Sequence, residues 1–320
     1  MLIDILYIIL GAALLYFGGE GLVRGASSLA RALGISSLVI GLTVVAFATS
    51  CPELFSALVA ALKDEPDIAL GTVIGSNIAN IGLVLGLTAI IFPLAAQRKF
   101  IRREVPIMII SGALLFPICW NGIIGRSEGA FFILLLIGFL LYQVRKSRQD
   151  SESHPLEAEI EKTPPQLGRS VVFIVVGVVL LVFGAHFLIE GATAIATAIG
   201  ISERVIGLTV VAFGTSLPEI ASSIIAAIRR EPDMVLGNLV GSNIFNVLCI
   251  LGITTVVCPI SVNWAASVID LLVMLFITFL VFPFLSSGYR LQRREGFVLV
   301  TLYLAYASYL VISELSKASL

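Results

Sequence analysis

The chain has 320 residues, of which 58% are hydrophobic and 13% charged, and it carries a net charge of -1. Soluble domains hold about 25% charged residues, so a water-soluble globule is excluded. The near-neutral balance removes any overall field toward nucleic acid or an acidic partner. Cys51, Cys119, Cys249 and Cys258 lie in apolar runs without CxxC spacing, which suggests neither a disulfide framework nor a zinc site.

Cut at its charge clusters, the chain yields apolar stretches near 3–23, 35–62, 68–92, 105–121, 128–144, 170–190, 203–228, 234–257, 267–285 and 296–313. A helix needs about 20 such residues to cross a bilayer, so the sequence predicts an all-α polytopic membrane protein of ten transmembrane helices. The first stretch has Asp4 where a secretory signal has a basic segment, and it reads as a retained span. Assigning successive connections to alternate faces puts 16 Lys and Arg residues on one side and 4 on the other. The positive-inside rule then places both termini outside the cytoplasm. The polar stretch 145–169 reads as a cytoplasmic linker between 1–144 and 170–320, five spans each.

Shifted by 166 positions, residues 41–91 fall on 207–257 with 27 of 51 identical and no gap. Phe17 with Phe183 and Gly25 with Gly191 extend the match into the first span. Because five spans is an odd number, the second copy starts on the opposite side of the membrane, which makes the halves inverted repeats. Secondary transporters are commonly built this way, with the site near the midplane where the repeats meet. Pro52 and Pro218 interrupt their spans, each lacking the N–H that would bond the carbonyl four residues earlier, on Ala48 and Gly214. GTVIGSN (71–77) and GNLVGSN (237–243) place glycines mid-span, where unwinding is expected around a cavity.

Directly after each proline stands a carboxylate, Glu53 and Glu219, in otherwise uncharged runs. An ionised side chain at the bilayer centre costs at least about 2.5 kcal/mol, so something must offset it. Thr49 and Ser50 precede Glu53 by four and three residues and share its helical face, as Thr215 and Ser216 do for Glu219. Ser76, Asn77 and Asn80 repeat as Ser242, Asn243 and Asn246. This all-oxygen set suits Ca²⁺ or Na⁺ and suits zinc or copper poorly. Cys51 reads as packing, His186 as structural or interfacial, Glu20, Arg24 and Glu190 as snorkelling near span ends, and Glu104 and Asp270 as interfacial.

At GLTVVAFATSCPE with GSNIAN, and GLTVVAFGTSLPE with GSNIFN, the sequence resembles the cation/Ca²⁺ antiporter superfamily, most closely its prokaryotic Na⁺/Ca²⁺ exchanger-like members. The resemblance implies four interrupted core helices (second, third, seventh and eighth), a long tilted first and sixth sliding past them, and alternating access driven by an ion gradient. It assigns a divalent ion to Glu53 and Glu219 with the carbonyls of Thr49 and Thr215. Sodium would use the same glutamates with Ala46, Ser50, Ser76, Ala212, Ser216 and Ser242, and Asn80 and Asn246 fill the remaining central positions. The best-known members have aspartate where this chain has Asn246, so two carboxylates remain here instead of three. Two glutamates balance one Ca²⁺ or two Na⁺, which leaves the ion count open because asparagine resembles a protonated aspartate. No enzyme activity, cofactor or protein partner is implied, and the setting is a prokaryotic inner membrane. A proton/Ca²⁺ or other cation antiporter using the same acids stays open, and a cation channel is a weaker alternative.

Overall fold

In hydrocarbon every backbone polar group must be satisfied within the protein, and for apolar stretches of this length helix is the available solution. The computed structural model, which describes residues 2–153, 167–200 and 212–318, is helical almost throughout. In chain order the helices are α1 (Leu2–Leu33), α2 (Ser37–Thr49), α3 (Cys51–Leu62), α4 (Pro66–Ile91), α5 (Arg98–Trp120), α6 (Arg126–Ser153), α7 (Leu167–Ala198), α8 (Ala212–Gly214), α9 (Leu217–Ile228), α10 (Pro232–Val257), α11 (Trp264–Ser286) and α12 (Arg293–Ala318). Among the described residues eight helices are long and apolar enough to cross a membrane, and nine when α2 and α3, bent by 44°, count as one span. Residues 201–211, which hold the start of the predicted seventh span, and 154–166 of the predicted linker lie outside the described residues.

The 166-residue offset reappears in the packing. α1 and α7 lie antiparallel along their lengths, and their glycines meet in crossed pairs. A Cβ on Gly18 would stand 2.8 Å from the Gly177 carbonyl oxygen, and one on Gly184 would stand 3.0 Å from that of Gly11. Adding 166 to Gly11 and Gly18 gives Gly177 and Gly184, so the seam is its own image under exchange of the halves. Two short ribbons also cross between halves: β1 (Leu94–Ala95) pairs with β4 (Arg290–Leu291), and β2 (Ile123–Ile124) with β3 (Ile260–Ser261). Arg293 donates to the carbonyl of Ile91 at 3.5 Å and Arg126 to that of Val256 at 3.1 Å, each near the end of a helix of the other half, where a cation suits the dipole.

Three expectations change. The first and sixth spans run on to Leu33 and Ala198, past the charges at which the sequence was cut. Arg24 pairs with Glu20 at 3.1 Å, and Glu190 lies 3.6 Å from His186, so charges one turn apart sit inside a continuing helix. The glycines of 71–77 and 237–243 do not unwind their helices. α4 and α10 continue through them and loosen only afterwards, in π-helical turns at Asn80–Leu85 and Asn246–Leu251. The second helix of the packed pair explains this, because a Cβ on Gly237 would lie 2.5 Å from the Leu38 carbonyl oxygen, so that glycine serves close approach. Finally, the ends of the predicted linker are helical, with α6 reaching Ser153 and α7 beginning at Leu167.

Replacing Gly18 or Gly177 by valine forces apart two backbones in contact. Each change should cost about 1–3 kcal/mol, read as a lower thermal unfolding midpoint of the purified protein, whereas Gly138→Ala on the exposed face of α6 should leave the midpoint unchanged.

Candidate cation site

The chain breaks at Ser50 and Ser216, whose backbones (φ -85°, ψ 4° and φ -86°, ψ 2°) leave the helical region. Each break is followed by a proline in the first turn of a new helix, where the missing N–H costs nothing. Glu53 and Glu219 therefore stand in the first turns of α3 and α9, at the positive end of each helix dipole, which favours a negative charge. The π-helical turns pack across the halves: α3 lies against Asn246–Leu251 and α9 against Asn80–Leu85. The breaks of one repeat are thus brought to the loosened turns of the other.

Glu53 and Glu219 are each 1% exposed and within electrostatic reach of one another. Among the described residues, Oε2 of Glu53 and both carboxylate oxygens of Glu219 meet no hydrogen-bond donor in good geometry, the Thr49 hydroxyl being the donor that lies near Glu219. The same holds for the hydroxyls of Ser50, Ser216 and Ser242 and for the amide oxygens of Asn80, Asn243 and Asn246, all of them buried. Buried polar atoms are normally paired, so a concentration of unpaired oxygens with no unpaired nitrogen among them is a surface chemically suited to a cation. A third acid does not join them, since no group of three or more His, Cys, Asp and Glu side chains suited to a metal occurs among the described residues.

Other predicted residues are placed as follows. Thr49 is buried, and its hydroxyl donates to Asn238 Oδ1 at 3.2 Å. Ser76 is buried on α4, and Thr215 is partly exposed just before the second break. The Ala46 carbonyl already accepts from the Ser50 N–H at 3.1 Å, and the Thr49 hydroxyl, whose one hydrogen goes to Asn238, lies 3.4 Å from it. Ala212 opens α8, and its side chain lies outside the described residues. Asn246 donates to Asn77 Oδ1 at 3.0 Å, a bond that an ionised aspartate has no hydrogen to make.

Sequence reasoning missed Asn238, Ser222 and Ser223, which form a buried polar cluster with Thr49. Only Ser222, whose repeat mate is Ser56, left a trace. Several ancillary residues acquire specific surroundings. Cys51 is partly exposed and turns its thiol to the Phe47 carbonyl at 3.2 Å. Glu104 is buried in α5, and Asp270 accepts from the Tyr306 hydroxyl at 2.9 Å. Glu20 accepts from Arg229 Nε at 2.8 Å, across to the end of α9, a partner the sequence did not display.

A multi-pass helical protein with a buried, oxygen-lined pair of carboxylates at paired helix breaks has the makings of an ion carrier. The chain belongs to the sodium/calcium exchanger protein family, which matches residues 3–145 and 169–312. It is 31% identical to the sodium/calcium exchanger MaX1 of Methanosarcina acetivorans over 95% of this chain and 97% of that one. It is 36% identical to the inner membrane protein YrbG of Escherichia coli over 87% of each. The solved structure of the sodium-calcium exchanger NCX_Mj, soaked with 10 mM Na⁺ and zero Ca²⁺, superimposes with a TM-score of 0.83 at 32% identity, covering 96% of this chain and 98% of that one. Membership makes this a membrane transporter of the cation/Ca²⁺ antiport class.

The Asn246–Asn77 bond ties the two halves inside the site. Asn246→Leu keeps the bulk and leaves Asn77 without its donor, which should cost about 1–3 kcal/mol in the thermal unfolding of the purified protein.

Proposed function

We propose that this protein exchanges Na⁺ for Ca²⁺ by alternating access and, under an inward Na⁺ gradient, exports Ca²⁺. The observation that carries the reading is the pair of buried carboxylates with unpartnered oxygens, Glu53 and Glu219. Ca²⁺ would take those glutamates with the carbonyls of Thr49 and Thr215. Na⁺ would take them with Ser50, Ser76, Ser216 and Ser242 and with the Ala46 and Ala212 positions, while Asn80 and Asn246 supply neutral amide oxygens between. Both ions are hard cations that accept such oxygens, so they compete. Two charges in a site of low dielectric cost too much to carry empty, and one Ca²⁺ or two Na⁺ neutralise them. Reorientation by the loaded carrier alone couples the two fluxes.

The same reading takes the chain as ten spans in two inverted repeats, 1–144 and 170–320, in the inner membrane, with both termini outside the cytoplasm and 145–169 inside. Support comes from the self-imaging glycine seam and the crossed ribbons. It also accounts for an asymmetry. α1 packs extensively against α9, while the equivalent packing of α7 against α3 is slight at most among the described residues. Val59 on α3 is accordingly 48% exposed and its mate Ile225 6%. The passage is closed on the Arg229 side and open on the Lys63 side, which the charge distribution makes the extracytoplasmic one. Glu20 with Arg229 fastens the closed side, and Ser27 adds a bond to Glu231 at 3.3 Å. The mates of Glu20 and Arg229 are His186 and Lys63, which cannot form the same ion pair when the opposite side closes.

In proteoliposomes, an imposed Na⁺ gradient should drive ⁴⁵Ca²⁺ flux, and Glu53→Gln or Glu219→Gln should abolish it. Undiminished flux in either variant refutes the assignment, and flux that follows a pH gradient but ignores Na⁺ would make H⁺ the coupling ion. Arg229→Gln should speed the labelling of Ala226→Cys by a membrane-impermeant thiol reagent from the Arg229 side by about two- to fivefold, the worth of a partly exposed ion pair.

A further inference from the structure

One buried polar cluster lies beside the carboxylates without belonging to the predicted ligand set. Asn238, on α10, is 1% exposed. Its amide nitrogen is 3.3 Å from the hydroxyls of both Ser222 and Ser223 on α9, and its amide oxygen is 3.2 Å from the Thr49 hydroxyl at the end of α2. The direction of these bonds is determined from within. Ser222 donates its hydrogen to the Glu219 carbonyl at 3.1 Å, so toward Asn238 it can only accept. Asn238 must therefore turn its NH₂ to α9 and its oxygen to α2, where Thr49 donates. An amide is suited to the position because it accepts a hydroxyl hydrogen while giving two of its own.

The cluster is particular to one half. The mate of Asn238 is Thr72, which is partly exposed and returns its hydroxyl to the Ile68 carbonyl of its own helix at 2.8 Å. Thr72 has no amide with which to join three helices. Thr49, by contrast, is anchored immediately before the Ser50 break and lies within electrostatic reach of Glu219.

We infer that Asn238 is a positioning residue of the cation site: by clamping the Thr49 hydroxyl of one repeat to α9 and α10 of the other, it sets how the Thr49 break and Glu219 present oxygen to the ion. The inference rests on the exchanger reading and deepens it. It makes the two halves of the site unequal, with the Glu219 side held in place before the ion arrives. Holding ligands in the bound geometry lowers the ordering cost of binding, so the clamp acts on affinity before it acts on turnover.

The test compares wild type, Asn238→Ala, Thr49→Val and the double variant, by Ca²⁺-induced thermal stabilisation of the purified protein and by the Ca²⁺ dependence of Na⁺-driven flux. Asn238→Ala should raise half-saturating Ca²⁺ about tenfold, the worth of one hydrogen bond, with little change in maximal flux. Thr49→Val should raise it similarly, and the double variant should be no worse than Thr49→Val alone because both remove one link. If alanine at 238 prevents purification, Asn238→Thr, which installs the mate's residue, should show a loss in the same direction. Wild-type affinity in the Asn238 variants, or losses that multiply in the double variant, would overturn the positioning role. A wild type that neither binds nor moves Ca²⁺ would overturn the exchanger reading instead.

Discussion

The structure turns on two carboxylates enclosed where water does not reach them and given too few partners by the protein. Three of the oxygens of Glu53 and Glu219 are unpaired among the described residues, as are the neighbouring serine hydroxyls and asparagine amide oxygens. A site that had evolved only to pack would have satisfied such atoms or replaced them with methyl groups, because each unpaired buried polar group costs about 1–3 kcal/mol. What the fold supplies is partial compensation: each acid stands at a helix N-terminus created by a proline-led break. The remaining deficit is positive charge, which the proposed function has arriving as cargo.

Around that pair the duplicated halves are held by contacts of two characters. Some map onto themselves when the halves are exchanged, such as the glycine seam of α1 and α7 and the ribbons of β1 with β4 and β2 with β3. These survive any motion that swaps the conformations of the repeats. Others do not: His186 and Lys63 stand where Glu20 and Arg229 would be repeated, and Thr72, which bonds its own helix, stands where Asn238 would be. The symmetric contacts form the scaffold on which an alternation can run, and the asymmetric ones make its two states unequal.

Much of this was legible in the sequence, for physical reasons. An acid in an uncharged span is conspicuous by its cost, a proline beside it fixes the break, and repetition at a constant offset multiplies both signals. The structure buries Glu53, Glu219, Ser50, Ser216, Ser242, Asn80 and Asn246 alike and leaves at least one side-chain oxygen of each unpaired among the described residues. Helix ends were legible only where charges lie unpaired. Arg24 and Glu190 looked like boundaries because the sequence does not display a partner one turn away as a reason to continue. The π-helical turns NIGLVL and NVLCIL, which begin at Asn80 and Asn246, were not read from the sequence, because asparagine, glycine and β-branched residues weaken a helix without specifying a π-turn. Asn238 was missed because repetition was the guide, and at that position the repeats differ.

The central claim is that the twin acids hold Ca²⁺ and Na⁺ in turn. Equilibrium binding of ⁴⁵Ca²⁺ to the purified protein, titrated with NaCl, tests it without reference to flux or gradient. The account predicts one saturable Ca²⁺ per chain, displaced competitively by Na⁺ and absent when both glutamates are glutamine. Calcium that stays bound to the doubly substituted protein, or that sodium fails to displace from the native one, would contradict it.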